Sequence, residues 1–484
     1  MDEVKSEKLS NGAMKNYRIV IAVILLSISC VSASGQVVAK ASLRPKQEER
    51  LFRSKAVDRK IKEMMKKIPD AEVAWMFEGC FPNTLDTTVH FKEGKNGEKD
   101  DTYVLTGDIP AMWLRDSGAQ VWTYLPYIKD DMALQRLIRG VILRQFRSIR
   151  LDPYANAFLI DETQESNWKS DNTKMLPGVW ERKYEIDSLC YPLRLAYAYW
   201  KLTGDDSIFD ENFVETLKMI LNTFEEQQRR NGPKTSYKFT RRTTSLHDTM
   251  ENYGYGHPAK YCGLIASAFR PSDDSTILPF LVPSNFFVIN VMEKMMEVVK
   301  EEELQKRMRK LVEEVKRGIE EYAIVETKDF GKVYAYEVDG RGNVLLMDDA
   351  NAPSLLSLPY LCDMPLSDPI YQNTRRMILS EANPYYFEGK EIVLENGTRV
   401  TPRGIGSPHT GYDMIWHMSI IMRGLTTDNK EEMEECLQML KATTGGKGFM
   451  YESFQKDNPK EFTRAWFSWA NGLFGELVMK LYDD

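Results

Sequence analysis

Apolar positions recur every three to four residues over long stretches of this chain. From Asp131 to Arg150, Met132, Leu134, Leu137, Ile138, Val141, Ile142 and Phe146 fall on one stripe, the signature of an amphipathic helix with one face in a core. The same spacing predicts helices over 189–202, 213–228, 371–379, 412–422, 430–442 and 465–480, and the stretch 289–322 is long enough for two. Polar, Gly- and Pro-rich segments separate them at 101–118, 161–185, 237–260, 268–285, 340–360, 401–411 and 443–456. Two turns predict hairpins. One joins 333–337 to 344–346 around Asp339-Gly340, and the other joins 391–394 to 398–400 around Asn396-Gly397. The hairpin also accounts for the formal glycosylation sequon at Asn396.

This alternation makes the chain mainly α. Trp, Asp, Glu and Arg gather in the connections, and many helices with functional loops at one end suggest a toroid of paired helices. No low-complexity linker divides the body, so 51–484 reads as a single catalytic domain behind a 36–50 linker. Residues 1–35 differ. Lys15 and Arg18 precede an apolar run from Ile19 to Ile28 that only Ser27 interrupts, and small residues follow at Val31-Ser32-Ala33-Ser34-Gly35. A charged start, a short apolar middle and a small-residue exit make a secretion signal, too short to be a stable membrane anchor. Met14 is a candidate true start. Export to the periplasm is the expectation, with a lipid anchor through Cys30 as the alternative.

Composition narrows the chemistry. With 43% hydrophobic and 28% charged residues the chain is an ordinary globular protein, and a net charge of -7 argues against nucleic acid as its ligand. The six cysteines are widely spaced with no C-x-x-C pair, so they read as small buried hydrophobes rather than a disulfide framework. Five histidines without His-x-x-x-His or His-x-x-Glu-His spacing give no zinc motif. The chain carries no P-loop, no dinucleotide-binding context and no Gly-x-Ser-x-Gly elbow. Carboxylate-rich loops without a metal or cofactor motif leave glycoside chemistry as the leading enzyme class.

Three segments suit that chemistry. Trp113 beside Arg115-Asp116 offers an aromatic face for a sugar ring and charged groups for its hydroxyls, although an Arg–Asp pair also simply orders a loop. In Arg270-Pro271-Ser272-Asp273-Asp274, adjacent carboxylates repel and raise the pKa of one of them, while one of the two also suits a helix cap. Glu452 stands among aromatics in a Gly-containing loop, a setting for a base or for a solvent-facing side chain. The loops around Asp349-Ala350-Asn351 and Ser407-Pro408-His409 are suited to hydroxyl recognition or to capping the helices that follow.

These segments resemble glycoside hydrolase family 125. The likeness is carried by Asp108-Ile109-Pro110-Ala111-Met112-Trp113-Leu114-Arg115-Asp116-Ser117, Phe269-Arg270-Pro271-Ser272-Asp273-Asp274 and Met347-Asp348-Asp349-Ala350-Asn351-Ala352-Pro353-Ser354-Leu355-Leu356. Gly404-Ile405-Gly406-Ser407-Pro408-His409 and Phe462-Thr463-Arg464-Ala465-Trp466-Phe467 add to it. The resemblance implies an (α/α)6 fold and an exo-acting α-mannosidase that removes terminal α-1,6-linked mannose from glycans without metal or cofactor, inverting the anomeric centre. It implies Asp273 as general acid, with Asp274 as second choice, because related toroid hydrolases place the acid two residues before a Ser, here Ser275. Glu452 would be the general base, and the two carboxyls are expected roughly 6.5–9.5 Å apart. The acid's pKa is expected to be raised by its carboxylate neighbour. Trp113, Arg115, Asp116, Arg270, Asp274, Asp349, Asn351, Ser407 and His409 are the expected mannose-binding residues. Two alternatives remain: another (α/α)6 hydrolase or phosphorylase acting on α-glucosides, and a non-catalytic glycan-binding protein.

Overall fold

A computed structural model describes residues 40–483; the expected signal and Cys30 lie outside them. One compact unit begins at Ser42, so it takes in residues 42–50 of the segment expected to be linker. The reason is local. Arg44 donates to Asp86 from Nε at 2.8 Å and to Asp58 from Nη1 at 2.9 Å, pinning this stretch to the body.

Two kinds of helix build the unit. One kind is mostly buried: Leu114–Trp122, Ile186–Thr203, Val282–Val298, His417–Leu425 and Ser468–Tyr482, joined by the short Leu358–Cys362, which buries Leu358 and Leu361. The other carries the one-sided stripes read from the sequence: Met132–Leu151, Glu211–Gln227, Glu302–Tyr322, Pro369–Ile378 and Lys430–Thr443. Ile186–Thr203 packs on both Leu114–Trp122 and Val282–Val298, and Leu358–Cys362 follows on Val282–Val298. His417–Leu425 packs on Ser468–Tyr482, which closes the ring on Leu114–Trp122. The amphipathic helices lie outside, and Ala71–Cys80 covers Ser468–Tyr482. This is an (α/α)6 toroid. Close approach inside it needs small residues, and a Cβ on Gly475 would lie 2.7 Å from the Phe81 ring.

The helix stretches read from periodicity are found with shifted ends. The stretch 289–322 is two helices, and 412–422 is helical only from His417 because Met414–Trp416 is a strand. The hairpin at Asp339-Gly340 is narrower than expected. Glu337–Val338 pairs with Val344–Leu345, whereas Gly331–Tyr334 pairs back on Ile324–Thr327. Ile392–Val393 and Arg399–Val400 form the second hairpin, with Gly397 at φ 82°. The five described cysteines are all free.

Three small antiparallel sheets end where inner helices begin. Met112–Trp113 precedes Leu114, Phe280–Leu281 precedes Val282, and Met414–Trp416 precedes His417. Connections held by these sheets therefore enter the inner ring at its helix N-termini, on one end of the toroid, where helix dipoles favour carboxylates.

Candidate active site

A small pocket opens at that end. Trp113, Arg115, Asp116, Asp273, Asn351, His409 and Glu452, all singled out in the sequence, line it. Each comes from a segment running into an inner helix. Arg115 and Asp116 occupy the first turn of Leu114–Trp122, Asp273 precedes Val282–Val298 and Asn351 precedes Leu358–Cys362. His409 precedes His417–Leu425, and Glu452 precedes Ser468–Tyr482.

Asp273 stands at the tip of a tight turn with φ 70°, a left-handed conformation that Asp tolerates but that costs about 1 kcal/mol or more. The turn is held by Asp273 N donating to Arg270 O at 2.9 Å and Arg270 N donating to Asp274 O at 2.7 Å. Lys183 Nζ donates to Asp273 O at 2.8 Å, and Asn351 Nδ2 donates to Pro271 O at 2.8 Å. The result aims Asp273 into the pocket with its side chain 27% exposed, while Asp274 points back, 4% exposed.

Asp274, Arg270, Asp349 and Ser407, expected to bind sugar, do not line the pocket. They brace it. Arg270 Nε donates to Glu337 Oε1 at 2.6 Å, with both side chains buried. Asp349 Oδ2 accepts from Ser272 Oγ at 2.8 Å and from Ser407 Oγ at 2.9 Å, tying the Asp273 turn to the His409 loop. Asp274 Oδ1 lies 3.0 Å from His409 Nδ1. Burial alone would lower the His409 pKa. The Asp274 hydrogen bond and the nearby Asp273 and Glu452 charges outweigh it and raise the value to about 9. His409 is thus an imidazolium at neutral pH, facing both carboxyls.

The expectation that Asp274 raises the pKa of Asp273 is corrected. Burial pushes Asp273 up, but Lys183, Arg115 and His409 more than compensate and hold it below the ordinary carboxylate range. Carboxyls beside it are raised instead: burial pushes Glu185, which shares the Arg115 guanidinium with Asp273, well above that range, and raises Asp116 and Asp187 as well.

Glu452 sits across the same pocket, with Arg464 Nη1 3.3 Å from its Oε1. Its loop is fixed by a buried histidine. Tyr451 N donates to His417 Nδ1 at 2.8 Å, and His417 Nε2 lies 3.0 Å from Thr443 Oγ1. Burial pushes His417 down to about 3, so it stays neutral. Arg464 also reaches Asp108 at 2.8 Å, joining the Glu452 wall to the Thr106–Ala111 loop. That loop lies against Trp466, and a Cβ on Gly107 (φ 144°) would come within 2.3 Å of Trp466 O.

Trp113, Trp416 and Phe467 give the lining an aromatic side. Buried polar atoms without a hydrogen-bond partner gather here too: Trp113 Nε1, Asp116 Oδ2 and Asp273 Oδ1. Such groups are costly unless a ligand answers them. Donors, acceptors and flat apolar faces in one small pocket are what a sugar ring requires. Lys183, Glu185, Asp187 and Arg464 were not assigned to the site from the sequence. The trace of the first three is a dense charge run, Glu181-Arg182-Lys183-Tyr184-Glu185-Ile186-Asp187, entering a largely apolar helix, while Arg464 stands in the Phe462–Phe467 segment.

A toroid of paired helices with a carboxylate-lined pocket at its inner N-termini is a glycoside hydrolase scaffold. The pattern of the GH125 family, metal-independent α-mannosidases, matches residues 70–479, and the chain belongs to that family. The "meiotically up-regulated gene 157 protein" of Schizosaccharomyces pombe is 40% identical over 459 residues, 91% of this chain and 88% of that protein. A solved structure from Streptococcus pneumoniae, a metal-independent α-mannosidase in a non-productive complex with α-1,6-mannobiose, is 42% identical. It aligns with a TM-score of 0.83 over 90% of this chain and 99% of that one. Among the described residues no helix is long and apolar enough to cross a membrane, and no set of His, Cys, Asp or Glu side chains is grouped to hold a metal.

Proposed function

We propose that this glycoside hydrolase removes terminal α-1,6-linked mannose from glycans by inversion, with Asp273 as general acid and Glu452 as general base. The observation that carries the reading is that both carboxyls line one small pocket, whereas Asp274 turns away from it to bond His409. Asp273 protonates the departing glycosidic oxygen, and Glu452 deprotonates a water that attacks the opposite face of the ring. Trp113 offers its face to the sugar. Arg115, Asp116, Asn351 and the His409 imidazolium hold its hydroxyls, and Arg464 orients the base.

With α-1,6-mannobiose as substrate, Asp273→Asn and Glu452→Gln should each lower kcat/KM by about 10²–10⁴, the worth of one general acid or base. Asp274→Asn should cost less than Asp273→Asn, because it disturbs His409 rather than the proton donor. Equal activity in Asp273→Asn and wild type would transfer the acid role elsewhere. Residues 1–35 are proposed to direct export, to the periplasm or to a lipid anchor at Cys30. Fractionation of cells expressing the whole chain, with N-terminal sequencing, separates the two, and an uncleaved cytosolic product would remove both.

A further inference from the structure

Water-facing rings are few in this protein. Among the described Phe, Tyr and Trp side chains, Trp168, Tyr253 and Tyr412 are exposed. Trp168 already carries the Arg241 guanidinium, 3.8 Å from its ring centre. Tyr412, 71% exposed, is the one of the three that stacks on another ring. It lies on Tyr385 at 5.5 Å and 18°, and Phe387 meets it nearly edge-on at 6.3 Å and 70°. One face of Tyr412 is thus braced and the other is open.

The backbone places this ring pair at the rim of the pocket. Tyr412 lies between His409 and Trp416, which both line the pocket, and its backbone stays within about 11 Å of His409. Gly411 at φ 86° and Asp413 at φ 65° turn the chain on either side of it. A left-handed Asp has to be held in place. Lys456 N donates to Asp413 O at 2.9 Å, and Trp416 Nε1 donates to Thr410 Oγ1 at 2.8 Å. Tyr385 is tied to the same walls. Gly406 N donates to Tyr385 O at 2.8 Å, and Ala350 N donates to Gly406 O at 3.1 Å, next to Asn351. Asp413 is exposed beside the ring, and its carboxylate has no hydrogen bond or ion pair among the described residues.

Resting on the reading of the pocket as the seat of the terminal mannose, we propose that Tyr412 is a specificity-determining residue: its open face carries the leaving part of the glycan, and Asp413 accepts from that part's hydroxyls. Once the terminal ring is in the pocket, the rest of the chain leaves it across this rim. The C–H face of a pyranose packs on a tyrosine ring as another apolar face would, and an ionised carboxylate is a strong acceptor for hydroxyls at the ring's edge. An α-1,6 linkage suits the arrangement. Its exocyclic CH2 adds a rotatable bond, which lets the following ring lie flat on a face beside the pocket. Because Tyr385 already braces Tyr412, little side-chain freedom is lost on binding. The contact is remote from the bond that breaks and is made in ground state and transition state alike, so it lowers KM rather than raising kcat.

The test uses the full chain and two substrates that deliver the same mannose. α-1,6-Mannotriose has a leaving chain, whereas α-mannosyl fluoride releases only fluoride. Tyr412→Ala should lower the ratio of kcat/KM for mannotriose to that for the fluoride about 3- to 10-fold, through KM rather than kcat. Tyr412→Phe and Tyr412→Trp keep a ring and should hold the ratio within about twofold of wild type. Asp413→Asn, which tolerates the left-handed turn, should lower it by about 2- to 3-fold. A wild-type ratio in Tyr412→Ala, whether activity holds or falls on both substrates, would overturn the platform. So would a fall in Tyr412→Phe as large as in Tyr412→Ala, because the hydroxyl and not the ring face would then matter. An unchanged ratio in Asp413→Asn would remove the carboxylate from the proposal. The reading of the pocket fails separately: a wild-type enzyme that hydrolyses neither substrate would refute it whatever Tyr412 does.

Discussion

At the residue scale, the site works by pairing groups whose ordinary charges are shifted in opposite directions. His409 is raised to about 9 by Asp274, Asp273 and Glu452 against its burial, while burial pushes His417 down to about 3. The signs differ. A histidine raised from 6.5 to about 9 stabilises the fold fully below pH 6.5 and loses that contribution as pH rises through about 9. A depressed histidine contributes above pH 6.5 and loses it as pH falls toward about 3. The Tm difference between wild type and His409→Gln should therefore be largest near pH 6 and shrink through pH 9, and a difference that grows with pH would contradict the imidazolium. Residue roles were only partly legible in the sequence. Asp273, Glu452, Arg115 and His409 stand out as polar groups in loops, but Arg270, Asp349 and Ser407 look the same in one dimension and prove to brace the pocket. Glu185 and Lys183 fall in the polar connection 161–185, and sequence spacing does not show that its end is folded inward.

At the scale of elements, the site is a set of loops held at the starts of inner helices. The Thr106–Ala111 loop illustrates how tightly. Gly107→Ala adds a Cβ 2.3 Å from Trp466 O at a backbone φ of 144°, so the loop must shift away from Arg464 and the Glu452 wall. The variant should keep a Tm near that of wild type but lose roughly 10- to 100-fold in kcat/KM, in line with the cost of misplacing groups by about 1 Å. Unchanged kinetics would separate this loop from the site. Helices such as Met132–Leu151 and Lys430–Thr443 were readable because their apolar stripe is a local property. Met414–Trp416 was read as helix because its pairing with Ser453–Gln455 lies about forty residues away and leaves no local period.

At the scale of the whole molecule, the ring closes only when the C-terminal helix Ser468–Tyr482 packs on Leu114–Trp122. The N-terminal stretch from Ser42 is part of that closure rather than a tether. Asp86 is buried, and its bidentate partner is Arg44, with Arg50 Nε farther off at 3.8 Å. Arg44→Ala should destabilise the enzyme by about 3 kcal/mol, because one half of a buried ion pair is left behind; chemical denaturation measures this, and a change below about 0.5 kcal/mol would return residues 42–50 to linker status. A toroid of amphipathic and mostly buried helices was legible as helix number and resemblance. Its direction, with all inner N-termini and both carboxyls at one end, becomes visible only in three dimensions.

The most direct test of the account is proton NMR of the purified enzyme cleaving α-1,6-mannobiose in EDTA, followed early enough to see the first anomer released. The account predicts β-mannose at a rate the chelator does not change. Initial release of α-mannose, or activity abolished by EDTA, would contradict the pairing of Asp273 and Glu452 across an attacking water.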